Sequence, residues 1–172
     1  MTADEFARAV GTEAAQEMDS ALTRIKHCLN QLTDEQIWRR AAPSMNSVGN
    51  VILHLCGNVR QWLFCGLGSA VDQRNRPAEF SDRGPIGKAE LIRRLETAVE
   101  EARSVLINQT AEGLLKSRRI QAQDVTGLVA LFNSVPHFRG HTQELVYMTR
   151  LLLGESYQFA WQPRTVEEGA PA

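Results

Sequence analysis

Four long stretches of this chain return an apolar side chain every three or four residues, while proline and glycine are sparse within them and gathered between them. That pattern commits the chain to helices joined by irregular connections, because the period-two alternation of half-buried strands is weak throughout. The first helix is expected from about Asp4 to Leu32, carried by Phe6, Val10, Ala14, Met18, Leu22, Ile25 and Leu29. Gly11 interrupts it at a cost of about 1 kcal/mol relative to alanine. Thr33, with Gln36 three residues on, is placed to cap a short turn. A second helix opens at Ser47, a natural N-cap, and runs to about Gly66. The third, KAELIRRLETAVEEARSVLIN, sets Leu91, Leu95, Ala98, Ala102 and Val105 on one face and pairs Glu90 with Arg94 on the wet side. AEGLLKSRRIQAQDV reads as a loop with one short extended piece, and a fourth helix spans about Thr126 to Leu153, stopped by Gly154.

Four helices of about twenty to thirty residues in one chain of 172 predict a single all-α domain, a four-helix bundle. The connection GLGSAVDQRNRPAEFSDRGPIG has no usable periodicity and is long enough to run back along the bundle, so the expected topology is an up-down-down-up crossover. The domain is expected over residues 1–162, with 163–172 as a disordered C-terminal tail.

With 19 basic and 20 acidic residues the chain presents no excess charge for phosphates, so neither nucleic acid nor an anionic membrane surface is expected as a partner. The three cysteines, Cys28, Cys56 and Cys65, are odd in number and form no CxxC pair, which suits a reducing compartment. The start, MTADEFARAV, lacks the basic and apolar regions of a signal peptide, and no window approaches the ~18 apolar residues of a membrane span. A soluble cytoplasmic protein is expected.

Chemistry concentrates on histidines. On the second helix, at about 100° per residue, Asn50, Gly57, Asn58 and Gln61 fall within about sixty degrees of His54, and the rest of the circumference is mostly apolar. Such a stripe is either the solvent face of a core helix or the lining of an internal pocket. On the fourth helix, His137 and His141 are stacked one turn apart, with Asn133, Glu144 and Met148 on the same side. Two imidazoles at this spacing suit one ion, and a third histidine from a facing helix would complete three protein ligands with an open position. Taken by itself this spacing more often marks ordinary surface or satisfied interior histidines than a metal site, and Phe138 stands where an HExxH motif has its glutamate. His27 lacks polar company and is read as structural or exposed. Pro136, inside the helix, predicts either a kink near Asn133 or a fresh helical start capped by Ser134.

The runs NSVGNVILHLCGNVRQW, DQRNRPAEFSDRGPIGKAEL and IQAQDVTGLVALFNSVPHFRGHTQELVYMTRLLLGE, in that order, resemble the DinB-like (DinB/YfiT) superfamily, specifically its small, uncharacterised bacterial members. The similarity covers about Asp4 to Trp161. It implies a four-helix bundle of crossover topology and a divalent metal held by His54, His137 and His141. The better understood relatives are metal-dependent enzymes of low-molecular-weight thiols, including bacillithiol or mycothiol S-transferases and a thiol-dependent isomerase, in which the metal lowers the pKa of a bound thiol. Pro136 departs from the more ordinarily helical relatives.

The function expected is therefore that of a metal-dependent transferase or hydrolase, with Zn or Ni as the ion and a thiol or water at the open position. Asn50, Asn58 and Glu144 would line the pocket, Glu144 as base or fourth ligand. Arg60, Arg74, Arg76, Arg83 and Arg139 would meet an acidic cosubstrate, or, as plain surface charges, pair with neighbours such as Glu79 and Asp82. The alternative is a non-catalytic metal-binding bundle, or a homodimer associating through Trp38, Trp62, Phe64 and Trp161, although aromatics at helical spacing more often belong to a core.

Overall fold

The structure is a computed structural model and describes residues 1–160. Trp161 and the expected C-terminal tail lie outside the described residues. Helix α1, Ala3–Gln31, begins with a reciprocal cap in which Thr2 and Glu5 each satisfy the other's backbone N–H. Its buried face is Ala7, Gly11, Ala14, Ala15, Met18, Ala21, Ile25, Cys28 and Leu29, and Phe6 stays exposed. The stripe is thus rotated toward small residues in its first half, which lets a neighbour come close. A Cβ on Gly11 would lie 1.9 Å from the carbonyl oxygen of Leu106, so this glycine is a requirement of packing rather than a defect.

The same type of cap, Thr33 with Gln36, opens the short helix α2, Asp34–Trp38. Helix α3, Val48–Val59, starts on a third reciprocal cap, Ser47 with Asn50, and continues into a π-helical turn at Arg60–Cys65. The long connection that follows contains helix α4, Arg76–Ser81, opened by Asn75 and Pro77 and packed on α3. One and a half turns carry too little periodicity to be read from sequence. Helix α5 is Lys88–Leu106, with Leu91, Leu95, Ala98 and Ala102 fully buried as expected.

The segment expected to be loop holds a helix, α6, Ala111–Leu115, and a hairpin of β1, Ser117–Ile120, with β2, Gln123–Thr126, in register Ser117↔Thr126 to Ile120↔Gln123. The chain is therefore mostly helical with a small sheet, not all-α. Two-residue hairpin turns are usually announced by Asn-Gly or Asp-Gly, because both positions need positive φ. Here Gln121 and Ala122 adopt φ of 49° and 62°, and the usual signal is missing.

Helix α7, Gly127–Leu153, is capped by Thr126 and ended by Gly154 at φ 57°. It runs through Pro136 without a restart, and Ser134 is no cap: its buried hydroxyl bonds Asn58 Oδ1 at 3.3 Å. Pro136 faces solvent, so the Phe132 carbonyl that loses its partner lies on the wet side of the helix, where hydration replaces part of the missing bond. Helix α1 packs on α5 and α7, and so does α3. Met18, Ile25, Ile52, Leu55, Leu63, Leu91, Leu95 and Phe138 are fully enclosed among them, each contributing about 1.5–3 kcal/mol by burial. Ion pairs cross these seams: Lys26 with Glu96 and Asp19 with Arg103 between α1 and α5, Glu17 with Arg139 between α1 and α7. Among the described residues no helix is long and apolar enough to cross a membrane.

Candidate metal centre

The polar stripe of α3 lines the interior rather than solvent: Asn50, His54 and Asn58 are all buried, covered by α4 and α7. His54 from α3 meets His137 and His141 from α7. Their rings lie 5.1 Å (His54 to each of the others) and 4.4 Å (His137 to His141) apart by centroid. One candidate donor nitrogen from each falls within 4.8 Å of the others, and His54 Nε2 is 3.0 Å from His137 Nε2. An ion bound tetrahedrally at about 2.0–2.1 Å needs nitrogens roughly 3.3 Å apart, so the cluster closes on an ion with small side-chain adjustments.

The outer nitrogens are equally informative. His54 Nδ1 lies 3.0 Å from Glu79 Oε2, and His141 Nδ1 lies 2.5 Å from Glu144 Oε2. A carboxylate only accepts, so each of these Nδ1 atoms carries the proton and each Nε2 is left with a lone pair aimed at the cluster. For His137, burial foremost, and then the positive charge of His141, His54 and the nearby arginines, lowers the pKa to about 4. Its imidazole is neutral at physiological pH, as a ligand must be.

Glu79 is itself held. Arg74 grips it through two N–H bonds, Nε to Oε1 at 2.7 Å and Nη2 to Oε2 at 2.9 Å, and both side chains are more than nine-tenths buried. Burial alone would raise the Glu79 carboxyl, but the bonds from Arg74 and His54 outweigh it and keep the group below its usual pKa. Arg74 Nη2 also lies 3.1 Å from His54 Nδ1; a guanidinium cannot accept, so the imidazole proton goes to the carboxylate they share. Room for this pair comes from Gly57, one turn along α3, where a Cβ would stand 2.0 Å from Glu79 Oε1.

The donor set fits a divalent ion: three imidazoles, two of them oriented by carboxylates, at the edge of a cavity of about 340 Å³ that His54 and His137 line together with Asn58, Trp62 and Arg74. A larger cavity, about 510 Å³, lies behind Arg74 and Glu79 and holds no histidine, so the chemistry belongs to the smaller one. The protein's own thiols are elsewhere. Burial pushes Cys56 up to about 12 and also raises Cys28 and Cys65, which makes all three poor nucleophiles.

Other expected site residues are distributed as follows. Asn58 does line the cavity. Asn50 is consumed structurally: its Oδ1 accepts from Ser47 and Arg40, and its Nδ2 donates to the carbonyls of Glu79 and Asp82. Glu144 backs His141 from the far side. Arg60 pairs with Glu101, Arg139 with Glu17, and Arg83 bonds carbonyls of its own loop. Arg74 pairs with Glu79 as the plain reading expected, yet in the interior rather than in solvent. Trp38 donates to the Ile86 carbonyl, Trp62 is buried, and His27 ties down the Gln158 carbonyl at 2.6 Å. Arg76, expected to meet a cosubstrate, does line the cavity; the residues that sequence reasoning missed are Glu79 as the partner of His54, and Gln121 and Gln123 at the cavity, since no spacing signal links them to His54.

Fold and site together define a class, a mostly helical protein that shares the fold of DinB-like proteins and carries a three-histidine cluster between two long helices. A conserved protein from Enterococcus faecalis superposes with a TM-score of 0.70 at 20% identity, covering 85% of this chain and 98% of that one. DinB-like proteins from Bacillus subtilis (TM-score 0.61, 16% identity, 88% of this chain and 99% of that one) and Bacillus cereus (0.58, 19%, 80% and 89%) share the fold as well. The chain belongs to the family described as "Protein of unknown function (DUF1572)", which it matches over residues 5–166. Comparison with curated proteins gives no match.

Proposed function

We propose that this protein is a metal-dependent transferase or hydrolase, acting with a small-molecule substrate and with a low-molecular-weight thiol or water as the attacking group. The observation that carries the reading is the double carboxylate backing: Glu79 and Glu144 turn the Nε2 lone pairs of His54 and His141 toward His137. Isolated interior histidines have no need of it, whereas metal ligands almost always have such partners. Three imidazoles of neutral charge suit Zn or Ni. When bound, the ion supplies a Lewis-acid position where a thiol or water is deprotonated at neutral pH. The chain's own part is to orient: Arg74 keeps Glu79 ionised, Glu79 and Glu144 keep two tautomers, and Trp62 and Asn58 wall the approach.

The same reading takes α1, α3, α5 and α7 as a four-helix bundle of up-down-down-up type. Its support is the order of the cross-helix pairs: 26 with 96 and 19 with 103 descend, as antiparallel helices require, while 17 with 139 and the terminal tie of Cys28 near Thr149 ascend. Free thiols at Cys28, Cys56 and Cys65 suit a cytoplasmic setting.

Elemental analysis of tag-free protein tests the proposal, with about one equivalent of Zn or Ni expected and its loss in His141→Ala. Less than about a tenth of an equivalent after repletion, with unchanged stability in that variant, overturns it. A second reading, a non-catalytic metal-binding or homodimeric bundle, is favoured by the exposed Phe132, Tyr147 and Leu151 on α7. Light scattering that shows a dimer, together with a loaded protein inert toward thiols and esters, would favour it.

A further inference from the structure

The cavity in front of the histidines carries an unbalanced charge. Two arginines line it, and they differ in kind. Arg74 is neutralised by Glu79. Arg76 has no carboxylate within 4.0 Å among the described residues, and no acidic residue lines the cavity with it. The Arg76 guanidinium is nonetheless held in place, 4.9 Å over the Phe80 ring, which in turn packs 5.0 Å from the His54 ring. Its charge reaches the cluster, being one of those that depress His137. To the same cavity the hairpin contributes Gln121 and Gln123, and α7 contributes Asn133, all amide-bearing side chains able to donate hydrogen bonds. A divalent ion on three neutral imidazoles adds positive charge that no cavity carboxylate compensates.

We infer that this cavity takes a small molecule bearing an anionic oxo group, a carboxylate or a phosphate, which pairs with Arg76 and is hydrogen-bonded by the glutamines of the hairpin. The inference rests on the metal reading for the position of the molecule's reacting end, and on Arg76 and the hairpin for the other end. A volume of about 340 Å³ is at the small end for ligand sites, which favours a compact, polar molecule. Guanidinium pairs with carboxylate and phosphate in a planar fork, so Arg76 selects the group by shape as well as charge.

Three mercaptans differing only in the tail test this: 2-mercaptoethanol, 3-mercaptopropionate and 2-mercaptoethyl phosphate, titrated calorimetrically into metal-repleted and into chelator-treated protein. The repleted protein is expected to bind at least one acid about ten- to a hundredfold more tightly than the alcohol, as one charge-assisted hydrogen-bonded contact allows. Whichever acid binds tighter names the group. Arg76→Gln removes the preference at unchanged metal content and unchanged melting, and Arg76→Lys restores part of it. Equal affinity for the three, no binding of either acid, or a preference that survives Arg76→Gln overturns the inference. An Arg76-dependent preference in protein that retains no metal upholds it while overturning the metal reading; metal retained without such a preference overturns this inference alone.

Discussion

Glu79, on a six-residue helix in the connection between α3 and α5, accepts the Nδ1–H of His54 at 3.0 Å while Arg74 holds its other oxygen at 2.7 Å. The relationship ties the orientation of one histidine to a segment that looks like an irregular loop in sequence. It makes the connection part of the site.

Removing the carboxylate therefore has two separable effects. Glu79→Ala leaves the buried Arg74 without its carboxylate, Gln61 alone still accepting from it, and is expected to destabilise the protein by about 3–5 kcal/mol in urea titrations. Glu79→Gln keeps a hydrogen-bonding amide of the same shape, and metal affinity measured by competition with a chromophoric chelator falls about 10–100-fold. Equal metal affinity in Glu79→Gln and the parent would show that His54 needs no orientation.

Gly57→Ala acts on the same pair from the helix side. Alanine is the better helix former by about 1 kcal/mol, but its Cβ meets Glu79 Oε1 at 2.0 Å. The carboxylate must leave Arg74 or His54, so metal affinity falls although α3 keeps its circular dichroism. Chelator competition and far-ultraviolet spectra on the same sample check both halves.

At Gly11 the obstacle is backbone, which cannot swing aside. Gly11→Ala places a methyl group 1.9 Å from the Leu106 carbonyl oxygen and drives α1 and α5 apart. A lower melting temperature is expected, against the gain of about 1 kcal/mol that helix propensity alone predicts. A raised melting temperature would mean that the two helices are not so close.

The depressed pKa of His137, about 4, sets a pH dependence for metal-free protein. Below about 6.5 an unfolded chain protonates this residue before the folded one does, so the unfolded state binds more protons and stability falls as pH drops. The loss accumulates between about 6.5 and 4 and levels off below that, where both states are protonated. Urea titrations at pH 7, 5.5 and 4.5 on chelator-treated protein should show this slope reduced in His137→Gln.

Much of the molecule was legible in the sequence because its signals are local. Caps at Thr33 and Ser47, the apolar face of α5 and the stop at Gly154 depend on residues within a turn of one another, and each is where the pattern put it. The pairing of His137 with His141 was legible for the same reason. Resemblance, rather than spacing, named His54 as their companion, and the structure brings it to them.

The remainder required tertiary structure because its cause is distant in the chain. Gly11 reads as a flaw until Leu106 is beside it, and Arg74 and Glu79 read as surface charges until α4 folds over His54. The hairpin at Gln121 and Ala122 lacks the glycine that would have announced it, so its turn is maintained by the strands it joins. Helix periodicity and capping depend on neighbours three and four residues away, and those the chain determined by itself. Which polar groups end up enclosed, and with what partner, depends on close approach between segments 25 to 83 residues apart, as Glu79 and His137 are from His54. Only the packed fold decided that.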